Sequence, residues 1–211
     1  MSTREAFLTA AESAAKMLDQ PAVAVAWTEP SALTGFTVGG LAEHLATQIL
    51  FVLRTLRQPA PHGEPVSLLG HYDRVTWIGA DLDAEVNVAI RRGGEDAAVE
   101  GAAALVSRTH ATVRELCDLL PAEPADRVVQ PPSGPWGLRL DDFLVTRMME
   151  IAVHSDDLAV SVGIATPQLP AQVLDPVLKL LADLAVRRHG AVALLRALSR
   201  SERAPATISA F

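Results

Sequence analysis

Cysteine is nearly absent. Cys117 is the only one in 211 residues, which excludes an internal disulfide and fits a reducing compartment, with the cytoplasm as the expected location. No uninterrupted apolar run reaches the length of a membrane-spanning helix, so no membrane association is expected. The first twenty residues mix charged and apolar positions at helical spacing and do not read as a cleavable leader. Concentrated positive charge is missing too. The formal net charge is −7, and Lys16 and Lys179 are the only lysines. The one dense basic group late in the chain, Arg187-Arg188-His189, falls near the end of a predicted helix, where cations complement the dipole. Phosphate binding needs a basic surface, so a nucleic-acid partner is not expected. Neither an internal repeat nor a low-complexity tract is visible.

What is abundant is apolar residues at helical spacing. Hydrophobic residues make up 49 % of the chain and charged ones 20 %, the profile of one globular domain, and the leucine, alanine and valine content favours helices. The spacing predicts a helix over 3–19 and a second, capped by Thr37, running to about Gln58 on the stripe Leu41, Leu45, Ile49, Val52 and Leu56. A linker joins them. Two further helices are predicted over 71–91 and 96–120, divided at Arg91-Arg-Gly-Gly94. The proline- and glycine-rich stretch from Pro121 to Gly137 reads as an ordered loop, with Arg127-Val-Val129 as the hint of a short strand pair. A helix over 141–162 and a last one over 170–199, broken at Gly190, complete the pattern, and the tail from Ser201 lacks periodicity. Long amphipathic helices with little strand content predict an all-α, antiparallel helical bundle, a frame that builds metal sites from side chains on facing helices.

The chemistry concentrates in Arg147-Met-Met-Glu-Ile-Ala-Val-His-Ser-Asp-Asp-Leu158. At about 100° per residue, Glu150 and His154 fall on one side of a helix, one turn apart, where both can reach one metal ion. Chance alone yields roughly 0.7 acidic residues four positions before some histidine in a chain of this composition, so the pair by itself is weak. Arg147, Glu150, His154, Asp157 and Ser161 share one arc of about 100°, which is either a site or an ordinary solvated face. Catalytic zinc commonly keeps three protein ligands of the His/Glu type and one open position, so a third donor must come from another histidine. His62 and His189 read as solvent-exposed. His44 sits inside the second helix at the border of its apolar stripe, with Gln48 one turn on, and His71 and His110 remain competitors. Cys117 as a fourth ligand would close the site, although a lone helical cysteine is more commonly core.

Two runs resemble a known family. Trp27-Thr-Glu-Pro-Ser-Ala-Leu-Thr-Gly-Phe-Thr-Val-Gly-Gly-Leu-Ala-Glu-His-Leu-Ala46, followed by Arg147-x-x-Glu-x-x-x-His-x-x-Asp-Leu158, is similar to the mycothiol-dependent maleylpyruvate isomerase N-terminal family, which belongs to the DinB-like four-helix bundles. The resemblance covers roughly residues 1–165. It implies a DinB-like bundle over 1–165 with a C-terminal helical extension over 166–211. It also implies His44, Glu150 and His154 as metal ligands, with Asp157 behind them. Phe36 stands where the family pattern has tryptophan, which should preserve an apolar plug. Characterised members carry a sterol-carrier-like C-terminal domain that contributes an arginine, and the 45 residues after Thr166 are too few for it.

The expected chemistry follows. A divalent metal ion, zinc by donor type, held by two imidazoles and one carboxylate can bind a thiol and stabilise its thiolate for attack on a small electrophile. The resemblance and the arginine-rich composition point to mycothiol as that thiol, in an S-transferase or isomerase acting as a monomer or homodimer. Asp157 could hold an imidazole N–H. Arg147 could orient Glu150 or an anionic substrate, or simply form a surface salt bridge. Two alternatives stand beside this reading. A metal-activated-water hydrolase needs a general base, yet His-Glu-x-x-His is absent and Glu43 points about 100° away from His44. A non-catalytic metal-binding or interaction module would keep the bundle and lose the pocket.

Overall fold

A computed structural model gives the structure of the chain, and residues 2–211 are described. The described elements are helices α1 (Thr3–Leu18), α2 (Pro21–Val25), α3 (Val38–Leu56), α4 (Leu68–Tyr72), α5 (Glu85–Ala98) and α6 (Ala102–Leu119), then strands β1 (Val128–Val129) and β2 (Leu138–Arg139), and finally α7 (Leu140–Val162), α8 (Ala171–His189) and α9 (Ala191–Ser199). The fold is an all-α, DinB-like four-helix bundle with extra C-terminal helices. Helices α1, α6, α3 and α7 close a square, each packing on its two neighbours, while α5 covers α3 and α8 lies against α7 and α1. The square encloses Phe7, Leu18, Leu41, Leu45, Ile49, Leu105, Leu116, Phe143 and Leu144, all fully buried. Each such side chain contributes about 1.5–3 kcal/mol of transfer free energy. Among the described residues no helix is long and apolar enough to cross a membrane.

The N-terminus of α3 is built by a neighbouring helix as well as by its own sequence. Thr37 caps it by accepting from the Gly40 N–H at 3.0 Å. A capping box would place an acidic residue at the third helical position to bind the cap's own N–H, but Gly40 stands there. Glu95 of α5 supplies that carboxylate from across the interface, accepting from the Thr37 N–H at 2.7 Å and from its hydroxyl at 2.9 Å. A Cβ at Gly40 would lie 2.1 Å from Glu95 Oε1, and one at Gly94 would lie 2.7 Å from the Gly40 carbonyl oxygen. Trp27 seals the same seam, its ring over Gly39 and its Nε1–H donating to the Ala98 carbonyl at 2.9 Å.

This seam explains where the chain departs from its apolar pattern. The boundary between the third and fourth predicted helices does not fall at Arg91–Gly94. Gly93 and Gly94 lie inside α5, and the break comes at Gly101, whose φ of +83° suits glycine. Glycine is in α5 to let α3 approach, not to stop it. The helix predicted over 71–91 is likewise corrected. Its first residues are helical in α4 and its last, 85–91, begin α5, but 73–84 between them is a run of turns and bends with Gly79 at φ +72°. The Asn87 side chain ties that run to the start of α5 by donating to the carbonyls of Ala80 and Asp81. The expected linker after α1 contains the short α2, begun by Pro21, which needs no N–H partner at a first helical position.

Other expectations hold. The strand hint at 127–129 is real: Val128 pairs with Arg139 and Val129 with Leu138. Val66 then bridges to Leu138, its N–H donating to the Gly137 carbonyl at 2.9 Å, and this lays α4 against α7. Arg4 fixes the start of the same loop by donating to the carbonyls of Leu120, Glu123 and Pro124. Helix α7 ends at Gly163 in the left-handed conformation, φ +69°. Gly190 divides α8 from α9 as the sequence indicates.

The glycine seam generates a paired prediction. Gly93→Ala meets no atom within 4 Å, so it should stabilise the protein by up to about 1 kcal/mol through helix propensity. Gly94→Ala must push α3 away and should destabilise by about 1–3 kcal/mol. Chemical denaturation of the two variants beside the parent reads both signs.

Candidate metal centre

Three side chains converge between α3 and α7. One ligating atom each of His44, Glu150 and His154 lies within 4.8 Å of the other two. His44 comes from the middle of α3, and the other two are stacked one turn apart on α7. The His44 and His154 rings meet edge to face with centroids 4.6 Å apart. The α7 arc is no solvated face: the side chains of Glu150 and His154 are only 14 % and 12 % exposed. Phe36 closes the His44 side, its ring 5.7 Å from the imidazole and buried, in the place foreseen for an apolar plug. The loop carrying it is tied to α7 where the Ala32 N–H donates to Ser161 Oγ at 2.8 Å.

Hydrogen bonds set the orientation of each donor. His154 Nδ1 sits 3.0 Å from Asp157 Oδ2, and Nε2 sits 3.1 Å from Glu150 Oε2. Asp157 therefore holds the Nδ1–H and directs Nε2 toward the cluster, the arrangement that metal-ligating histidines commonly show. Gln48 sits one turn beyond His44, its amide N–H donating to the His44 carbonyl at 2.9 Å while its Oε1 accepts from Arg147 Nη1. Arg147 also donates from Nε to Thr146 Oγ1 and lies 5.3 Å above the Phe143 ring. Among the described residues it forms no ion pair, so the surface salt bridge considered for it is absent.

The protonation pattern follows from burial and charge. Burial, reinforced by the neighbouring charge of His154, pushes His44 down to about 4. For His154 burial acts in the same direction, but the hydrogen bonds to Asp157 and Glu150 outweigh it and raise this imidazole to about 9. Burial would raise Glu150, yet the His154 hydrogen bond and the charge of Arg147 hold it down at about 2. The unliganded cluster thus carries one proton shared between His154 and Glu150, with His44 neutral. Two imidazoles and a carboxylate, nearly dry and backed by Asp157, suit a zinc-type ion that would take the place of that proton.

The remaining candidates are placed elsewhere. His110 lies at the surface, 3.8 Å from Asp19, His62 is exposed, and His189 hydrogen-bonds the Ser209 carbonyl. Cys117 is outside the cluster, and burial raises its thiol pKa, so it is not an activated nucleophile. Glu43 is 2 % exposed and accepts from Arg108 through both oxygens at 2.7 and 2.8 Å, which removes it as a general base. The sequence pattern underrated His71. It is buried on α4, its Nδ1 accepts from Trp136 Nε1–H at 3.0 Å, and burial followed by the charge of Arg147 pushes it down to about 4. Tyr72 beside it was not singled out at all. Being the only tyrosine in the chain was the one signal it offered.

Two measurements follow from this geometry. Because His154 is raised to about 9, metal uptake at neutral pH displaces a proton, so affinity should rise about tenfold per pH unit from 6 to 8 and flatten above about 9. Calorimetry in buffers of differing ionisation enthalpy counts that proton. Asp157→Asn should weaken metal affinity by about 10–100-fold, read by competition with a chromophoric chelator.

Comparison with known proteins agrees with the fold. No curated protein sequence matches the chain at a significant level. A solved structure, described as the crystal structure of the mycothiol-dependent maleylpyruvate isomerase, superposes with a TM-score of 0.55 at 16 % identity, covering 88 % of this chain and 70 % of that one. Residues 7–159 match the family described as the mycothiol maleylpyruvate isomerase N-terminal domain. That span is more than half of the chain and takes in both arms of the cluster, and the chain therefore belongs to this family.

Proposed function

We propose that the chain binds a divalent metal ion, zinc by donor type, on His44, Glu150 and His154, and that it activates a low-molecular-weight thiol for attack on a small electrophile. The observation that carries this reading is the convergence of the three donor atoms within 4.8 Å of one another. When bound, such an ion supplies positive charge and an open position that together hold a thiol as its thiolate, where a free thiol of pKa about 8.5 stays mostly protonated at pH 7. The chain's own residues orient and insulate that chemistry. Asp157 fixes the His154 ring, Gln48 links α3 to Arg147, and Phe36 keeps water from the His44 side.

The thiol we assign is mycothiol, supported by the descriptions of the family and of the structural neighbour. The reaction class is S-transfer or isomerisation. In both, sulfur bonds to an electrophilic carbon. Transfer keeps that bond and expels a leaving group, whereas isomerisation breaks it again after rotation about the substrate's former double bond. We assign residues 1–165 as the metal-binding unit and 166–211 as an extension, supported by the buried α8 stripe Val173, Val177, Leu180 and Leu184. The expected setting is the cytoplasm and the expected state a monomer or homodimer. Hydrolysis by activated water is the weaker reading, because Glu43 is engaged by Arg108.

The test is the rate of conjugation of chlorodinitrobenzene by the zinc-loaded protein, with and without added mycothiol. The enzymatic rate should require the thiol, and His44→Ala and Glu150→Ala should each lower kcat/KM by about 100-fold or more. A rate indifferent to thiol, or full zinc stoichiometry in both variants, overturns the proposal.

A further inference from the structure

Tyr72 carries a polar atom with nothing to bind. The residue is 6 % exposed, its hydroxyl is buried, and no hydrogen-bond partner reaches it. An orphaned buried hydroxyl costs free energy that a phenylalanine at the same place would avoid. Its surroundings are those of the candidate metal centre. The ring stands edge to face with His71 at 5.0 Å between centroids, on the short helix α4 that packs against α7, and the charges of Glu150 and Arg147 act on its phenol. Trp77 and Phe211 pack on its outer side, each ring centroid 6.5 Å away, and on each other at 5.0 Å. These rings help to wall the phenol off from solvent.

Beside the Glu150 carboxylate, two neighbouring groups are donors. His71 accepts from Trp136 at Nδ1, so as a neutral imidazole it carries its proton on Nε2. Arg147 is a cation whose recorded partners are the neutral Gln48, Thr146 and the Phe143 ring. A tyrosine hydroxyl, an imidazole N–H and a guanidinium gathered near a carboxylate-bearing metal site suit an acceptor oxygen with partial or full negative charge. We propose that Tyr72 is a specificity-determining residue whose hydroxyl donates a hydrogen bond to a carbonyl or carboxylate oxygen of the electrophile. Burial keeps the phenol protonated, its pKa raised beyond the working range, so it remains a donor throughout. The choice of ligand rests on the thiol-activation reading; the orphaned hydroxyl does not.

The test compares the full-length protein with Tyr72→Phe, using propionate as the oxygen-bearing probe and propylammonium as a probe of similar size with no acceptor. Binding is followed by ligand-observed NMR on zinc-loaded protein, alongside zinc stoichiometry and thermal unfolding. Tyr72→Phe should weaken propionate binding by about threefold to tenfold, leave propylammonium and zinc stoichiometry unchanged, and leave Tm equal or higher. Equal propionate affinity in the two proteins overturns the proposal, as does absence of propionate binding by the parent. A lower Tm with unchanged propionate binding also overturns it, because that marks a hydroxyl satisfied by structural water. Loss of thiol dependence with propionate discrimination intact refutes the thiol reading alone, and the reverse result refutes Tyr72 alone.

Discussion

The distance between α3 and α7 is the constraint on which the candidate site depends. His44 belongs to one helix and Glu150 with His154 to the other, so the cluster exists only while those two helices keep their spacing and rotation. Rotation of α3 is set on its far side. Glu43, one residue before His44, is drawn into α6 by a two-oxygen contact with Arg108, and a step of about 100° then turns His44 toward α7. A buried ion pair of this kind is weak evidence of stability, since desolvation offsets much of its attraction. Its value here is directional. At the upper end, Glu95 and the glycine contact fix where α3 begins.

The same logic explains the uneven electrostatics of the cluster. Two imidazoles in one dry space respond oppositely because only one has carboxylates on both ring nitrogens. His44, next to a protonated neighbour and without an acid of its own, stays neutral. The asymmetry leaves one imidazole nitrogen free and the other masked by a proton, so a metal ion bound there would compete with a single proton rather than with two.

Much of the bundle, and the Glu150–His154 arm of the cluster, was legible in the sequence because both rest on local periodicity. The stripe from Leu41 to Leu56 and the four-residue step from Glu150 to His154 are properties of one helix each, and helical spacing reports them directly. The pairing of His44 with the α7 donors was legible through the family pattern, since no local rule says which of six histidines an unseen helix will face. What was lost depends on contacts between segments. Gly93-Gly94 has the signature of a breaker, and only the Gly40 carbonyl beside it shows that close approach is its role. Val75, Ile78 and Leu82 are spaced as a helix, yet Leu82 is exposed and Gly79 takes a positive φ. Tyr72 comes against α7 with α4, beside the bridge of Val66 to β2, a tertiary event with no sequence period.

The cap of α3 also constrains how the sequence can drift. Thr37, Gly40 and Glu95 occupy one small volume, with the carboxylate filling the space a side chain at position 40 would need. A larger residue at 40 becomes tolerable once residue 95 shortens, but the Thr37 N–H then loses its acceptor. Relatives should therefore keep all three or exchange them together, and position 95, far from the donors in sequence and chemically silent, should co-vary with the start of the helix that carries His44.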